Sequence, residues 1–181
     1  TQWYRDAVAY CLSKGILTNK ADGTFGIHDT TTRGMVAQAL WAAEGKPKTG
    51  TYCFYQDVGE AHPDRNGIIW AAQTGVMSGY DGNTFGANDA VTREQLAAIL
   101  WRYAQYKGYD VSVGEETNIL SYADAFDISE YAIPAMQWAC GAGLLDGTPT
   151  EGTGLVLEPK GATSRAMLAT LLMRFCEYVV K

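Results

Sequence analysis

Apolar residues recur at helical spacing in three segments of the chain, and each segment follows a Thr-Arg or Ser-Arg pair. After Arg93, Leu96, Ala97 and Leu100 lie three, four and seven residues along the chain. These positions share one face of an α-helix, which has about 3.6 residues per turn. The other two segments repeat this spacing, with Val36, Ala37 and Leu40 after Arg33, and Leu168, Ala169 and Leu172 after Arg165. The pattern predicts three amphipathic helices that begin at these arginines, each with the preceding Thr or Ser as its N-cap.

A second helical pattern lies upstream of each arginine, and each copy of it ends at a glycine: Gly15, Gly75 or Gly143. Glycine is the usual residue past a helix end where the backbone takes a positive φ angle. Two apolar residues follow each glycine, and in the first two copies a loop rich in Gly, Asp and Asn comes next, as is typical of turns. The sequence therefore predicts a helix–loop–helix unit that is repeated three times.

The repeats divide the chain into three parts, residues 1–46, 53–108 and 120–181. The stretches EGKPKTGTY and QYKGYDVSVGEETN are read as connectors, and the first part lacks the opening that the other two carry. Each part is too small to bury its apolar faces alone, so we expect all three to pack as one compact body around a shared helical core. The predicted fold class is mainly α.

The composition excludes several classes of protein. Of the residues, 47% are hydrophobic, which predicts a packed core, and no apolar run approaches the about 20 residues of a membrane span. The formal net charge of −6 argues against nonspecific binding of nucleic acid, which needs clustered Lys and Arg. The first residues contain neither a starting Met nor a signal-peptide pattern, so we expect the chain to be part of a longer protein.

The cysteine and histidine residues do not predict a metal site. The four cysteines form no Cys-x-x-Cys pair, and only His28 and His62 could assist as imidazole ligands. We predict no cofactor. Cys11, Cys140 and Cys176 lie in apolar helical patterns and are expected to be buried thiols, while one disulfide stays open if the chain is exported.

Short motifs recur in the same order in the three copies. The second copy carries FYQDV, WAAQTGVMSGYDGNTF and VTREQLAAIL, the first WYRDAVAYCLSKGIL, and the third WACGAGLLDG and TSRAMLATLL. These stretches resemble the S-layer homology repeat over nearly the whole chain. The resemblance implies a pseudo-threefold trimer of repeats that is not an enzyme and lies outside the cell, at the cell wall or S-layer. It also implies a monomeric module of a larger surface protein, which binds a pyruvylated secondary cell wall polysaccharide in grooves between repeats.

The copies depart from the Thr-Arg-Ala-Glu pattern of that family, which becomes TRGM, TREQ and SRAM in chain order. The third copy also has a longer and different loop, TPTEGTGLVLEPKG. Because the second copy follows the family most closely, its arginine is the first candidate for an active groove.

The resemblance makes the motif arginines Arg33, Arg93 and Arg165 the main ligand contacts. The chemistry of the position agrees, because a helix N-terminus presents free N–H groups and the positive end of the helix dipole. A planar guanidinium also matches a carboxylate, such as that of a pyruvate ketal, with two hydrogen bonds. The alternative is a salt bridge from each arginine to an acid of the adjacent repeat, which fixes the assembly instead of a ligand. The sequence leaves both interpretations open.

Further residues complete the predicted ligand site: Tyr10, Trp70, Trp138, Asp57, Asp124, Gly79 and Glu94. The three aromatic residues recur at one position before the glycines, where they could stack on sugar rings or fill the core. The two aspartates follow an aromatic residue in the second and third copies, and could accept hydrogen bonds from sugar hydroxyls.

Two other functions were weighed against polysaccharide binding. A hydrolase of wall glycans could pair Asp57 with Glu94 or with Asp124, but no nucleophile has an adjacent base in the pattern. A protein-docking or surface-lattice module needs an apolar stripe that faces solvent, for which the candidates are Tyr103, Tyr106, Tyr109 and Phe175.

Overall fold

The computed structural model describes residues 2–152 and 154–180 and is mainly helical, which confirms the predicted fold class. The predicted limits of the first and third repeats at residues 1 and 181, and Thr153 in the third loop, lie outside the described residues. Within those residues, no helix is long and apolar enough to cross a membrane. The described part of the chain contains six α-helices: α1 Arg5–Ser13, α2 Arg33–Ala43, α3 Arg65–Thr74, α4 Arg93–Tyr106, α5 Ile133–Gly141 and α6 Arg165–Tyr178.

Shorter elements connect the later helices. Between α4 and α5 the chain forms 3-10 helices at Ser112–Glu116, Ala125–Asp127 and Glu130–Ala132. Between α5 and α6 it forms an antiparallel hairpin of β1, Thr148–Thr150, and β2, Gly154–Val156. The sequence pattern did not predict this hairpin, which lies in the loop where the third copy differs from the other two.

The starts of α2, α4 and α6 coincide with the three motif arginines, as predicted. Thr32 and Ser164 each accept a hydrogen bond of 3.2 Å from the backbone N–H three residues ahead. Thr92 does the same, and the Gln95 side chain accepts from the backbone N–H of Thr92, which completes a capping box. The three predicted N-caps are therefore confirmed.

The predicted glycine ends of the first helices are also confirmed. Gly15, Gly75 and Gly143 follow α1, α3 and α5 with φ angles of +67°, +75° and +79°. A side chain at such an angle is strained, so glycine fits these three positions by its backbone alone.

The chain forms two compact units. The first unit contains the residues up to Val91 together with Ser164–Thr170, and the second contains Thr92–Thr163 together with the residues from Leu171 onward. The packing of all three repeats into one body stays a prediction.

In the first unit, α2 packs against α3 at a point of close backbone approach. A Cβ atom on Gly67 of α3 would lie 2.4 Å from the Cα of Gln38 on α2, so this crossing requires glycine. The backbone N–H of Gly67 also donates to Oε1 of Gln38 at 3.1 Å. The largest fully buried side chains of this unit are Phe85, Met77, Leu40, Ile68, Leu168 and Val36.

In the second unit, α4 packs against α5 around an aromatic cluster. The ring centroids of Tyr103 and Trp138 lie 5.4 Å and 6.3 Å from that of Phe175. Because Tyr103 and Phe175 are both buried, the apolar stripe considered for protein docking does not face solvent at these two residues.

None of the four cysteines forms a disulfide in the part of the chain that the structure describes. Cys11 is buried, as expected, and its thiol lies 3.5 Å from the carbonyl oxygen of Ala169. Cys140 and Cys176 are half-buried, so the expectation of full burial was wrong for these two.

Candidate functional site

The backbone at the start of each motif helix already makes hydrogen bonds within the chain. The first N–H of α2, α4 and α6 donates to the carbonyl of Asp89, Gly161 and Asp29, at distances of 3.0, 3.0 and 2.9 Å. The second N–H of each helix also donates to a carbonyl of the same loop, and the N-cap side chain accepts from the third. The expectation that these helix ends offer free N–H groups to a ligand was therefore wrong. An anion at this position can be bound by side chains only.

Arg165 is held by two backbone carbonyls of the Thr18–Phe25 loop. Its Nε donates to the carbonyl of Phe25 at 2.8 Å, and its Nη2 donates to the carbonyl of Thr18 at 2.7 Å. The guanidinium carbon lies 4.6 Å from the ring centroid of Phe25, a cation–π distance. We call this arrangement a carbonyl clamp: an arginine whose Nε and Nη2 donate to two carbonyls of one loop while it stacks on the loop's phenylalanine.

Arg33 makes the same carbonyl clamp with the Ser78–Phe85 loop. Its Nε donates to the carbonyl of Phe85 at 3.0 Å, and its Nη2 donates to the carbonyl of Ser78 at 2.6 Å. The guanidinium carbon lies 5.0 Å from the ring centroid of Phe85 and 4.8 Å from that of Tyr80. Two of the three copies therefore fix the geometry of the motif arginine through two neutral backbone acceptors.

Arg165 is a buried residue, with 7% of its surface exposed. Burial lowers the pKa of Arg165, and the charges of Asp29 and Asp64 act in the opposite direction. Within residues 2–152 and 154–180, no carboxylate oxygen lies within ion-pair distance of this guanidinium. Its remaining Nη1 lies 3.9 Å from the sulfur of Met35, which is a weak acceptor. Arg165 is thus a desolvated cation with donors left for a further acceptor.

A cavity of about 100 Å³ lies beside Arg165 in the first unit. Its polar lining comes from Arg165, Lys46, Gln38 and Asp64. Burial raises the pKa of Asp64, and the charges of His62 and Arg165 oppose that rise. With two cationic groups and one carboxyl, the cavity can accept a small anion and can also hydrogen bond to hydroxyl groups.

Arg93, at the equivalent position of the second copy, is held differently. Its Nη1 lies 2.6 Å from Oε2 of Glu158, in an ion pair within the second unit. Its Nε is buried and has no hydrogen-bond partner among the described residues. This geometry matches the alternative that the sequence left open, a salt bridge inside the protein, at the copy that sequence reasoning placed first.

Asp57 and Asp124 each hold the loop of their own copy. The Asp57 carboxylate accepts from the backbone N–H of Phe85, Gly86 and Ala87 at 2.9, 2.8 and 3.0 Å. Burial acts to raise the pKa of Asp57, but these three hydrogen bonds outweigh it and lower the pKa. The Asp124 carboxylate accepts from the backbone N–H groups of Leu157 and Glu158 at 2.7 Å each. These carboxylates position the loops that the arginines contact.

Glu94 and Gly79 also make contacts within the protein. Glu94 is buried and accepts from the N–H and Oγ of Ser129 at 2.9 and 2.7 Å, and from Nζ of Lys160 at 2.6 Å. Burial acts to raise the pKa of Glu94, and the bonds from Lys160 and Ser129 reverse this and lower it. Lys160 Nζ also contacts Ser129 Oγ closely. A Cβ on Gly79 would lie 2.5 Å from the ring of Tyr55, so packing alone requires glycine there.

The three recurring aromatic residues differ in burial. Trp138 and Trp70 are buried, which places them in the cores of the second and first units. Tyr10 is half-buried, and Nζ of Lys14 lies 6.0 Å from its ring centroid. Of this series, only Tyr10 has a ring surface that a sugar could reach.

The structure brings together groups that sequence reasoning did not connect. Lys46 and Asp64 join Arg165 in one cavity, although they belong to a connector and to the second copy. No sequence signal marks either residue. The stacking residues Phe25 and Phe85 did carry a signal, because they recur at one position before the motif arginines.

Comparisons with known proteins agree with this repeat structure. The family described as S-layer homology domain matches residues 1–35 and 54–97. These matches fall in the first two predicted repeats, while the third repeat stays a prediction.

Three curated relatives are similar over nearly the whole chain. An amylopullulanase of Thermoanaerobacterium thermosulfurigenes is 28% identical over 97% of this chain and 9% of its own length. Exoglucanase XynX of Acetivibrio thermocellus is 26% identical over 97% of this chain and 16% of its own. An endoglucanase of Bacillus sp. (strain KSM-635) is 27% identical over 95% of this chain and 17% of its own. The chain thus spans less than a fifth of the length of these relatives.

S-layer homology domains are non-catalytic modules that bind cell-wall components and anchor proteins at the cell surface. The predicted location at the cell wall or S-layer is therefore confirmed. Residues 1–35 and 54–97 of the chain therefore match the family described as S-layer homology domain.

Proposed function

We propose that this chain is a non-catalytic anchoring module that binds an anionic, pyruvylated wall polysaccharide at the carbonyl clamp of Arg165. One observation carries the proposal: the buried Arg165 guanidinium is fixed by two neutral carbonyls beside a cavity that also contains Lys46. A carboxylate on the polysaccharide would supply the ion-pair partner that no described carboxylate gives to Arg165.

The electrostatics of the cavity support an anionic ligand. A buried charge without a counter-charge is costly, because burial removes its hydration. A carboxylate that enters the cavity offsets this cost and meets a guanidinium that is already oriented for it. Asp64 reduces the net positive charge, but its carboxyl can accept hydrogen bonds from the hydroxyls of the same sugar. The site therefore suits a sugar acid better than a simple inorganic anion.

The Arg33 clamp is proposed as a second, more exposed contact for the same polymer. It has the same two-carbonyl geometry, and the half-exposed ring of Tyr80 lies beside its guanidinium. Two contacts on one unit would let a single polymer chain bind at both, which raises the overall affinity through effective concentration.

The internal contacts of the carboxylates that were considered for a hydrolase support a non-catalytic role for the chain. Asp57 and Asp124 each accept hydrogen bonds from backbone N–H groups, and Glu94 is paired with Lys160. A lowered pKa, as at Asp57 and Glu94, is opposite to what a general acid requires.

The test is co-sedimentation with wall sacculi that retain their polysaccharide. Arg165→Ala should weaken binding by about 30-fold or more, because truncating one partner of a buried charge pair costs about 2–5 kcal/mol. Arg102→Ala, the same change at an exposed residue of α4, is the matched control and should bind as the native chain does. Thermal unfolding of each variant shows that the protein compared is folded. Equal binding of the two variants would contradict the proposal.

A further inference from the structure

A pair of aromatic rings at the start of the second copy is exposed on the first unit. Tyr52 is 70% exposed and Phe54 is 72% exposed. Their ring centroids lie 4.7 Å apart with an angle of 85° between the ring planes, so the two rings form a right-angled corner. Neither residue belongs to the arginine clamps or to the core, and two adjacent exposed rings commonly mark a binding surface.

The segment that carries these rings is held at both ends. Nη2 of Arg65 donates to the carbonyl of Thr51 at 3.0 Å, and Nη1 donates to the carbonyl of Val58 at 2.9 Å. Between them, the ring of Tyr55 packs against that of Phe85 at 5.2 Å. The exposed corner is therefore presented by an anchored segment, which lowers the entropy lost when a ligand binds.

A cleft of about 280 Å³ opens beside the corner. Its lining includes the apolar residues Ile69 and Ala72 of α3 and the exposed residue Gln73. None of its lining residues is Asp, Glu, Lys, Arg or His. The cleft is slightly smaller than the about 300–1,000 Å³ that is common for small-molecule sites, so it suits a single sugar ring.

We propose that the Tyr52–Phe54 cleft is a subsite for an uncharged pyranose unit of a wall glycan. A pyranose ring presents C–H groups on its faces and hydroxyls at its edge. One aromatic ring of the corner can cover the face of the sugar while the other contacts its side, and the Gln73 amide can both donate to and accept from a hydroxyl. The absence of charged groups in the lining favours a neutral sugar over the acidic one proposed at Arg165. The proposal rests on the anchoring function only for the source of the glycan.

The direct test is titration of two uncharged probes, chitotetraose and cellotetraose, into the 181-residue chain, followed by NMR. At least one probe should bind saturably and shift the signals of residues 52–55. Phe54→Ala and Tyr52→Ala should each weaken binding about tenfold, equivalent to about 1.4 kcal/mol. Phe54→Tyr, which keeps a ring face, should retain binding. Loss of binding in Phe54→Tyr to the same extent as in Phe54→Ala would contradict stacking.

The matched control is Phe126→Ala, which removes a ring that is 90% exposed in the second unit and should leave binding unchanged. Arg165→Ala should also leave probe binding unchanged, so that failure of this subsite and failure of the anion site are read separately. Because Tyr52 and Phe54 are exposed, their variants should have the same unfolding temperature as the native chain.

Two preparations identify the source of the sugar. Loss of binding by Phe54→Ala to sacculi stripped of secondary polysaccharide identifies the peptidoglycan strand, and loss to the released polysaccharide identifies that polymer; either supports the proposal. If neither probe binds, or if Phe54→Ala binds them as the native chain does, the subsite is overturned. A Phe54→Ala defect on whole walls without probe binding would also overturn it, in favour of a protein partner.

Discussion

Arg165 in the first unit and Arg93 in the second stand at the same motif position but have different partners. Arg165 donates to the carbonyls of Phe25 and Thr18, whereas Arg93 is paired with the carboxylate of Glu158. Both begin helices with the same type of N-cap, so the helix start does not explain the difference. The difference comes from the loop that receives the arginine.

One position in the receiving loop accounts for the two outcomes. Phe25, Phe85 and Leu157 occupy equivalent positions in the three loops. The residues that follow them are Gly26, Gly86 and Glu158, with φ angles of +70°, +76° and +51°. The backbone turns the same way in all three, but only the third copy carries a side chain there. That side chain supplies the acid that neutralises Arg93. Where glycine stands at this position, backbone carbonyls hold the arginine, whereas Glu158 gives Arg93 an internal ion pair.

The largest expected effect comes from removing the carboxylates that hold these loops. Asp57→Ala leaves three backbone N–H groups without their acceptor and should lower the free energy of unfolding by about 2–4 kcal/mol. Asp124→Ala removes two such bonds and should cost less. Urea denaturation measures both. An Asp124→Ala variant that loses as much stability as Asp57→Ala would contradict this ranking.

The lowered pKa of Asp57 predicts that the stability of the fold depends on pH. The pKa of Asp57 is lower in the folded chain than its ordinary value, so its contribution is complete above that ordinary value. The contribution is lost as the pH falls through the lower, folded value. Native protein should therefore lose more stability on acidification than Asp57→Ala does, as measured by urea denaturation at a series of acidic pH values. Parallel losses would show that Asp57 does not carry this dependence.

The sequence predicted the helix starts, their caps and the terminal glycines, because these depend on residues within one turn of each other. It could not predict the clamps, since Arg33 and Arg165 reach carbonyls that are 52 and 140 residues away in the chain. It was wrong about free N–H groups for the same reason: the acceptors Asp89, Gly161 and Asp29 come from distant loops. The sequence also left open whether Trp70 and Trp138 belong to the core. An aromatic residue at their position in the helix can either fill the core or stack on a sugar ring. The replacement of Gly26 and Gly86 by Glu158 was visible in the aligned copies, but its meaning required the position of Arg93.

Replacing Glu158 by glycine tests whether this residue sets the difference between the Arg93 and Arg165 sites. Glu158→Gly should turn the Arg93 site into one that accepts an external anion, and binding of polysaccharide should increase. The stability of the fold should change little or rise by about 1 kcal/mol: a non-glycine residue at positive φ costs about 1–2 kcal/mol, and a partly exposed ion pair contributes about 0–1 kcal/mol. Co-sedimentation and thermal unfolding measure the two effects. Weaker polysaccharide binding in this variant would contradict the assignment of Glu158 as the internal counter-ion.

A smaller effect is expected from Lys160→Met, which keeps most of the side-chain length but removes the charge beside Glu94. Because Lys160 is itself largely exposed, the loss of stability should be about 1 kcal/mol or less. The pKa of Glu94 should rise toward its ordinary value, so the variant should lose less stability than the native chain when the pH falls. Denaturation at neutral and acidic pH tests this. An unchanged acid response would show that Ser129 alone sets the ionisation of Glu94.

We propose that a clamped arginine with no carboxylate in ion-pair contact binds the wall anion, while an arginine with such a contact does not. Calorimetric titration of a pyruvate-ketal amino sugar into native chain, Arg165→Ala and Arg93→Ala tests it most directly. We predict that Arg165→Ala loses about 30-fold or more in affinity, in line with a truncated charge pair, and that Arg93→Ala binds as the native chain does. Equal losses in the two variants, or a loss confined to Arg93→Ala, would contradict it.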